Sequence, residues 1–397
     1  MRKIIYISNV NLDGSLLRGV INKISGQSKA FRSEGYELDT LFPGLDSKIV
    51  LKKQSGEVKY FEGGSKYLTG QTYILKLVSY LRESYQGSMD FTDCQQEIFG
   101  QGYDAVYLRF FMPGTRLVSF LKNLKIANPN LIILLEYPTL NIEELFRNTL
   151  SRRVSFLMNK KKIDKVNKLA DYIITLTDDQ ILFGKPALLM PNGIDLDNIE
   201  PIQSPVYKSK LVLVGVASDI NYYHGFDRLV RGLAKYKSEN HSVEILLRLI
   251  GNPLSKSLTE LKALSEKNGT KDWVSFELPM SQDQLIDVYK NAHLGIGTLA
   301  LHRIGLIKNY SLKHREYAAF GLPFIMSIGD SHFEDTPFVM TFESNEDPLP
   351  VNEIVQFYEN LREQKPHYPQ EFRRSIENKL KWNVQMKDVF RVIDSGK

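Results

Sequence analysis

The residues of this chain whose types and spacing could do chemistry fall in a few short segments. The richest runs Ser311-Leu312-Lys313-His314-Arg315-Glu316-Tyr317-Ala318-Ala319-Phe320-Gly321-Leu322-Pro323-Phe324-Ile325, with a lysine and a glutamate near the start of a helical pattern. Upstream stand Val214-Gly215-Val216-Ala217, Tyr223-His224-Gly225-Phe226-Asp227-Arg228-Leu229 and Leu301-His302-Arg303. The first half offers a glycine and arginine loop from Gly14 to Lys23, then Tyr107-Leu108-Arg109 and Leu135-Glu136-Tyr137-Pro138-Thr139. Phosphate needs cations or helix N-termini. A carboxylate can accept both hydroxyls of a ribose, and glycine lets backbone approach a ligand closely. Lys313, Arg303 and backbone near Gly215 are therefore candidates for holding phosphate, Glu316 for a ribose, and Gly14, Arg18 and Gly19 for phosphate or a second substrate.

Each candidate has a plainer alternative. Glu316 can serve the macrodipole of its own helix, and Lys313 can be a solvated helix lysine. Arg228 can pair with Asp227 or Glu239 as well as with a ligand. His224 can cap a helix or touch a sugar. Arg109 and Glu136 end separate strands and can pair with each other, since buried charges without partners are costly; the sharper reading makes Glu136 an acceptor-hydroxyl contact or base. Asn192-Gly193 is expected to make a hinge turn. Familiar motifs fail: there is no GxxxxGK[ST], GxSxG or HExxH. Gly295-Ile296-Gly297-Thr298-Leu299-Ala300 matches a dinucleotide fingerprint, yet no helix pattern opens at Thr298. Asp195-Leu196-Asp197 resembles a metal-holding acidic pair but lies in the joint of the chain, so it reads as a solvated linker.

The elements that must position these residues alternate between short β-rich runs and helical patterns, which predicts α/β architecture with parallel sheets. Strands are expected at Ile4–Val10, Glu37–Phe42, Ala105–Phe110, Ile132–Tyr137 and Tyr172–Leu176, with a helix over Gly19–Ser33 and a less regular insertion over 44–70. The pattern restarts with strands at Leu211–Val216, Glu244–Ile250, Val274–Leu278, Leu294–Thr298 and Pro323–Met326. Helices are expected at Phe226–Tyr236, Leu258–Lys267, Gln282–Asn291 and Leu312–Ala319. The proline-bearing stretch Pro191–Tyr207 reads as a linker. Two such units imply a cleft lined by the carboxyl ends of strands.

Composition narrows the class. With 51 basic and 46 acidic residues the net charge is +5, too mild to argue for a nucleic-acid partner. The one cysteine, Cys94, rules out an internal disulfide and CxxC motifs. No apolar run approaches the roughly 18 residues of a membrane span, and the N-terminus lacks the h-region of a signal peptide. A cytoplasmic protein is expected.

Taken in order, these segments resemble the retaining nucleotide-sugar glycosyltransferases of family four, closest to their bacterial capsule and exopolysaccharide branch. The resemblance spans residues 3 to about 392, with the late Trp382 among its matches. It implies the GT-B fold: a Rossmann-like acceptor domain over 1–190, a Rossmann-like donor domain over 191–375, and a C-terminal helix over 376–397 crossing back to the first domain. It implies transfer of a hexose-type sugar, with retention, from a nucleotide-sugar donor to a lipid-linked saccharide or polysaccharide acceptor. The leaving group is thought to accept the acceptor proton, so no protein nucleophile is named. Glu136, His302, Arg303 and Lys313 would line the reacting groups; Gly14, Arg18, Gly19, Gly215, His224, Arg228, Lys313 and Glu316 would hold the donor. No metal and no separate cofactor is implied. Two segments depart from the pattern. Lys308 stands where the family has the first Glu of its E-x7-E pair, and Val216 and Ala217 stand where an Arg is usual. A catalytically inactive sugar-nucleotide-binding partner or sensor, and a GT-B epimerase, are the alternatives; a phosphorylase would need a cofactor lysine motif that is not seen.

One segment carries the charge surplus. From Leu145 to Lys168 there are eight basic residues and one acid, Asp164. Leu150, Val154 and Leu157 form an apolar stripe among them. Basic amphipathic helices favour anionic membrane surfaces, so peripheral docking on the inner face of the plasma membrane is the expectation, against an ordinary helix with a solvated basic face.

Overall fold

The computed structural model describes residues 1–13, 18–63, 85–138, 150–197, 199–252, 256–327 and 329–396. Gly14, Thr139 and positions 145–149 of the basic segment lie outside them. The chain forms two compact units, Met1–Pro191 with Trp382–Lys397, and Asn192–Lys381. Residues 376–381, expected with the returning helix, stay with the second unit.

The first unit is built on a nine-stranded sheet. Its strands are β1 (Lys3–Ile7), β2 (Glu37–Pro43), β3 (Lys48–Lys52), β4 (Val58–Glu62), β5 (Ala105–Arg109), β6 (Ile132–Glu136), β7 (Tyr172–Thr175), β8 (Ile181–Leu182) and β9 (Lys185–Leu189). They lie in the order β4-β3-β2-β1-β5-β6-β7-β9-β8. The centre is parallel, with Ile7 beside Leu108 and Arg109 beside Glu136. The insertion after β2 folds back as the antiparallel β3–β4 pair. The order reverses at β1: the chain first moves outward to β2, then returns to β5 on the other side.

Side-chain alternation divides the unit chemically. One face of the sheet carries Ile5, Ile7, Val106, Leu108, Ile133 and Leu135 into an apolar core with Phe91, Leu117, Phe120 and Leu121. The opposite face carries Tyr6, Tyr107 and Glu136, covered by helix Arg18–Ser33. On that helix Phe31 meets Tyr107 edge-on at 5.5 Å, and Phe390 of helix Lys387–Ser395 stacks on Tyr36 at 5.6 Å. The indole of Trp382 presses so close to Gly26 that an added Cβ would lie 2.2 Å from its Nε1. The C-terminal segment thus returns to the first unit, and the helix glycine is what admits the indole.

The second unit has a six-stranded, all-parallel sheet. Its strands are β10 (Lys210–Val216), β11 (Glu244–Ile250), β12 (Val274–Glu277), β13 (Leu294–Ile296), β14 (Phe324–Ser327) and β15 (Val339–Phe342), ordered β12-β11-β10-β13-β14-β15. Here the order reverses between β10 and β13. The central strands β10, β13 and β14 read as near-continuous apolar runs because both their faces are largely buried, while the edge strands β12 and β15 are mostly half-buried.

The expected linker is not loose. Leu196 and Ile202 are buried in the second unit's core. Arg373 donates to the carbonyls of Leu196, Ile199 and Ala319, and Ile202 N–H donates to Phe320. Its prolines mark an extended path, and three carbonyl-bound hydrogen bonds and two apolar anchors hold that path down. Asp195 folds into a local turn, its carboxylate accepting from the N–H of Asp197.

Candidate functional site

In open parallel sheets ligands bind beyond the carboxyl ends of the strands where the order reverses. In the second unit this places the segments after β10 and β13 side by side. Gly215 is explained by packing, since an added Cβ would lie 2.9 Å from both the Phe226 ring and Leu249. After β10 the chain makes a tight turn, Tyr222–His224, that is tied to the segment after β13. Leu299 and Ala300 N–H donate to the carbonyls of His224 and Tyr223. Gly225 closes the turn at φ 70°, and a side chain there would meet Leu299 at 2.9 Å.

His224 caps this turn: its Nδ1 accepts from Asn221 N–H at 2.9 Å. Burial, and secondarily the charge of Lys313, drives its pKa well down, so it is neutral. The cap of the two sequence readings is therefore what its Nδ1 does. Lys313 lies in the first turn of helix Leu312–Phe320, which has no acidic residue in that turn and no side-chain cap from Ser311. The residue is half-buried, but its Nζ is fully covered and has no hydrogen-bond partner among the described residues. It sits 5.6 Å from the Phe226 ring centroid, and burial lowers its pKa to about 7. One turn further on, Glu316 accepts from the Tyr289 hydroxyl at 3.2 Å. Burial raises its pKa to about 7, against that hydrogen bond. Lys313 and Glu316 are three residues apart, a spacing at which helix side chains can pair. Lys313 makes no such pair. A covered cation with no anion among the described residues, one helical turn from a carboxylate that can accept hydroxyls, is an arrangement suited to a phosphate next to a diol.

Three other residues are brought together differently. Arg303 donates to Asp227 at 2.7 and 2.9 Å, to Glu346 at 2.8 Å and to the Tyr222 carbonyl at 2.6 Å. His302 contacts the same Glu346 at 2.6 Å and Ser344 at 3.2 Å. These side chains bracket the His224 turn against the 344–346 loop, and Arg303 has its hydrogen-bonding capacity committed there. Arg228 pairs with neither Asp227 nor Glu239. It is 2% exposed and donates to the carbonyls of Leu299, Glu343 and Asp347 and to the Asn345 amide oxygen. It ties together the chain after β13 and the 343–347 loop. Lys308 is half-buried on the loop between Leu306 and Asn309.

The sequence reading missed a buried charge group in the same motif. Arg315 is fully buried and donates to Asp330, to His332 Nδ1 at 2.7 Å and to the Asn192 carbonyl at 2.8 Å. His314 shares Asp330 at 2.9 Å. Burial would raise the Asp330 pKa, but Arg315 and His314 hold it at about 2. The signal was present, since a buried arginine inside an apolar helix pattern demands an acid, but the acid lies 15 residues away in an irregular segment.

In the first unit, Arg18 and Gly19 are exposed in the first turn of helix Arg18–Ser33. Glu136 is 1% exposed and pairs with Lys23 at 2.5 Å, not with Arg109. It also accepts from Tyr107 at 2.8 Å and Gln27 at 3.2 Å. Burial opposes its charge, yet Lys23 and Arg109 together lower its pKa, so it stays ionised.

No family model matches the chain, and no curated protein matches it significantly. Solved structures do. Sucrose-phosphate synthase from Thermosynechococcus elongatus is 13% identical with a TM-score of 0.61, covering 100% of each chain. The catalytic domain of starch synthase IV from Arabidopsis thaliana, bound to ADP and acarbose, is 11% identical with a TM-score of 0.65, covering 99% of each chain. WaaG, a glycosyltransferase involved in lipopolysaccharide biosynthesis, is 15% identical with a TM-score of 0.58, covering 99% of this chain and all of that one. Identity this low speaks to architecture alone, and in architecture the agreement runs the length of the chain: its two parallel-sheet units have the GT-B fold.

Proposed function

We propose that this protein is a retaining, nucleotide-sugar-dependent hexosyltransferase of bacterial capsule or exopolysaccharide assembly, acting on a lipid-linked or polysaccharide acceptor. The observation that carries the reading is the covered Nζ of Lys313, without a partner among the described residues and one helical turn from Glu316, at the reversal point of the second sheet. In this reading Lys313 and the free N–H groups of its helix hold the diphosphate, and Glu316 takes the ribose hydroxyls. As the glycosidic bond to the diphosphate breaks, negative charge builds on the leaving oxygen. A fixed cation there stabilises the transition state more than the ground state. Neutral His224 stands beside Lys313 without competing for the anion. No metal is assigned.

A thermal-shift panel of UDP-, GDP-, dTDP- and CDP-sugars tests the donor. Stabilisation by at least one, lost in Glu316→Ala, is expected; no stabilisation by any refutes the donor site. An inactive sensor is the second reading, favoured by Lys308 at the position of the family's first Glu.

The basic segment supports docking at an anionic membrane on the cytoplasmic side. In helix Leu150–Leu169, Leu157 is 70% exposed, with Val154 and Met158 on the same outer face. Around them Arg153, Lys160, Lys161, Lys165 and Lys168 are exposed as well. An apolar centre ringed by cations is what an interfacial helix presents. No helix among the described residues is long and apolar enough to cross a membrane.

A further inference from the structure

We infer that the first unit carries its own phosphate site, with Arg109 as its binding cation, and that it receives a phosphate group of the acceptor. The inference rests on the glycosyltransferase reading for the word acceptor only; the site itself stands on the geometry of the first unit.

Arg109 is the last residue of β5, and β1 and β5 flank the point where the strand order of that sheet reverses. It lies on the sheet face of Tyr6, Tyr107 and Glu136, directly beside Glu136 in register. An ion pair with that carboxylate would be the economical use of both. It does not form. Glu136 is already engaged by Lys23, Tyr107 and Gln27, the last of which also accepts from Tyr6 at 2.7 Å. Lys23 in turn faces the Trp382 ring at 5.9 Å. The phenols of Tyr6 and Tyr107 are held neutral, by burial first and then by the charge of Glu136.

Among the described residues the charges facing this group are Lys23, Arg109 and the carboxylate of Glu136, two positive against one negative. Arg109 is half-buried, its Nε is covered and unsatisfied, and among the described residues its guanidinium makes no hydrogen bond or ion pair. A desolvated donor without an acceptor costs free energy in the free protein. An incoming oxyanion recovers that cost, and a guanidinium can hold two phosphate oxygens at once. The ordered network beneath keeps Glu136 from swinging over to take that role.

The probe is inorganic pyrophosphate, titrated calorimetrically into the full chain carrying Lys313→Met, so that the cation of the second unit is absent. One pyrophosphate site is expected to remain, and adding Arg109→Gln should weaken it by at least about tenfold. Unchanged affinity would overturn the proposal. Should the glutamine variant fail to melt cooperatively, Arg109→Lys decides. It keeps the charge but loses the two-pronged geometry, so a several-fold loss supports the site and equal affinity rejects it. A second arm separates the two sources of phosphate. UDP and GDP affinities of otherwise wild-type Arg109→Gln should stay within about twofold. A tenfold loss there would assign Arg109 to the leaving diphosphate and refute the acceptor. Failure of the donor reading would show separately, as no response of the wild type to any sugar nucleotide.

Discussion

Replacing Lys313 by methionine should make the free protein more stable and its nucleotide binding weaker. The Nζ of Lys313 is covered and unpartnered, and burial lowers its pKa from 10.5 to about 7. At about 1.36 kcal/mol per tenfold in proton affinity, that gap bounds the cost of the charge at about 5 kcal/mol. Because the residue keeps partial solvent contact, we take about 2–3 kcal/mol as the working figure. The sign follows from proton counting. Between pH 7 and 10.5 the unfolded chain holds a proton on this lysine that the folded chain has lost, so stability rises with pH there. The cost is full below pH 7 and is lifted as pH climbs toward 10.5. Methionine keeps the length of the stem and removes the charge. At pH 6.5 it should raise the melting temperature by about 4–12 °C, at about 2–4 °C per kcal/mol for a unit of this size. That gain should shrink steadily by pH 9.5. Binding a diphosphate restores the proton, so UDP or GDP affinity should fall between pH 7.5 and 9.5. Calorimetry in two buffers of different ionisation enthalpy at pH 8.5 should then report uptake of nearly one proton, absent in Lys313→Met. A variant that melts like the wild type at pH 6.5 and binds nucleotide equally well, or a pH-flat affinity, would refute the reasoning.

Glu316 runs the opposite way, with its pKa raised from 4.5 to about 7. Its cost grows as pH rises from 4.5 to 7, so Glu316→Gln should stabilise the free protein at pH 8 and not at pH 4.5 in paired thermal melts; equal gains at both would contradict the burial argument. Breaking the buried Lys23–Glu136 pair by Glu136→Gln should cost about 3–5 kcal/mol in urea unfolding, and adding Lys23→Met should recover part of it; strictly additive losses would mean that the two do not act as a pair. Gly26→Ala drives a methyl into Trp382 and should cost about 1–3 kcal/mol, with faster proteolysis of the C-terminal segment; an unaltered cleavage rate would show that the indole yields freely. Vesicles containing anionic lipid should sediment the protein in low salt and neutral vesicles should not; equal or absent binding to both would remove helix Leu150–Leu169 as a membrane surface.

The central strands were legible because a strand buried on both faces is apolar over most of its length, and β1, β5, β6, β10 and β11 fall within a few residues of expectation. The edges were not. β8 and β9 are a two-residue and a five-residue strand joined by Phe183 and Gly184 at positive φ, too short to show a period. β15 follows an irregular acidic stretch that masks it. Prolines made 191–207 look like a linker, because the arginine that fastens it, Arg373, lies some 170 residues later. Distance in sequence is also why the site was only half legible. Lys313 and Glu316 are set by one helix and could be placed from it. The partners of Arg303, Arg228 and Glu136 come from Glu346, Asn345 and Lys23, and no local pattern announces them. Arginines in a promising motif therefore read as ligand contacts, although the fold uses them to hold loops.

The central claim is that the second unit presents a sugar nucleotide for transfer. The most direct measurement supplies a radiolabelled sugar nucleotide, chosen as the one that stabilises the protein, together with an envelope fraction of the cells that make it. Label is expected in lipid-extractable or polysaccharide product, with release of nucleoside diphosphate, and both should be lost in Lys313→Met. Tight binding of the sugar nucleotide with no label transferred would contradict it and leave a sensor in its place.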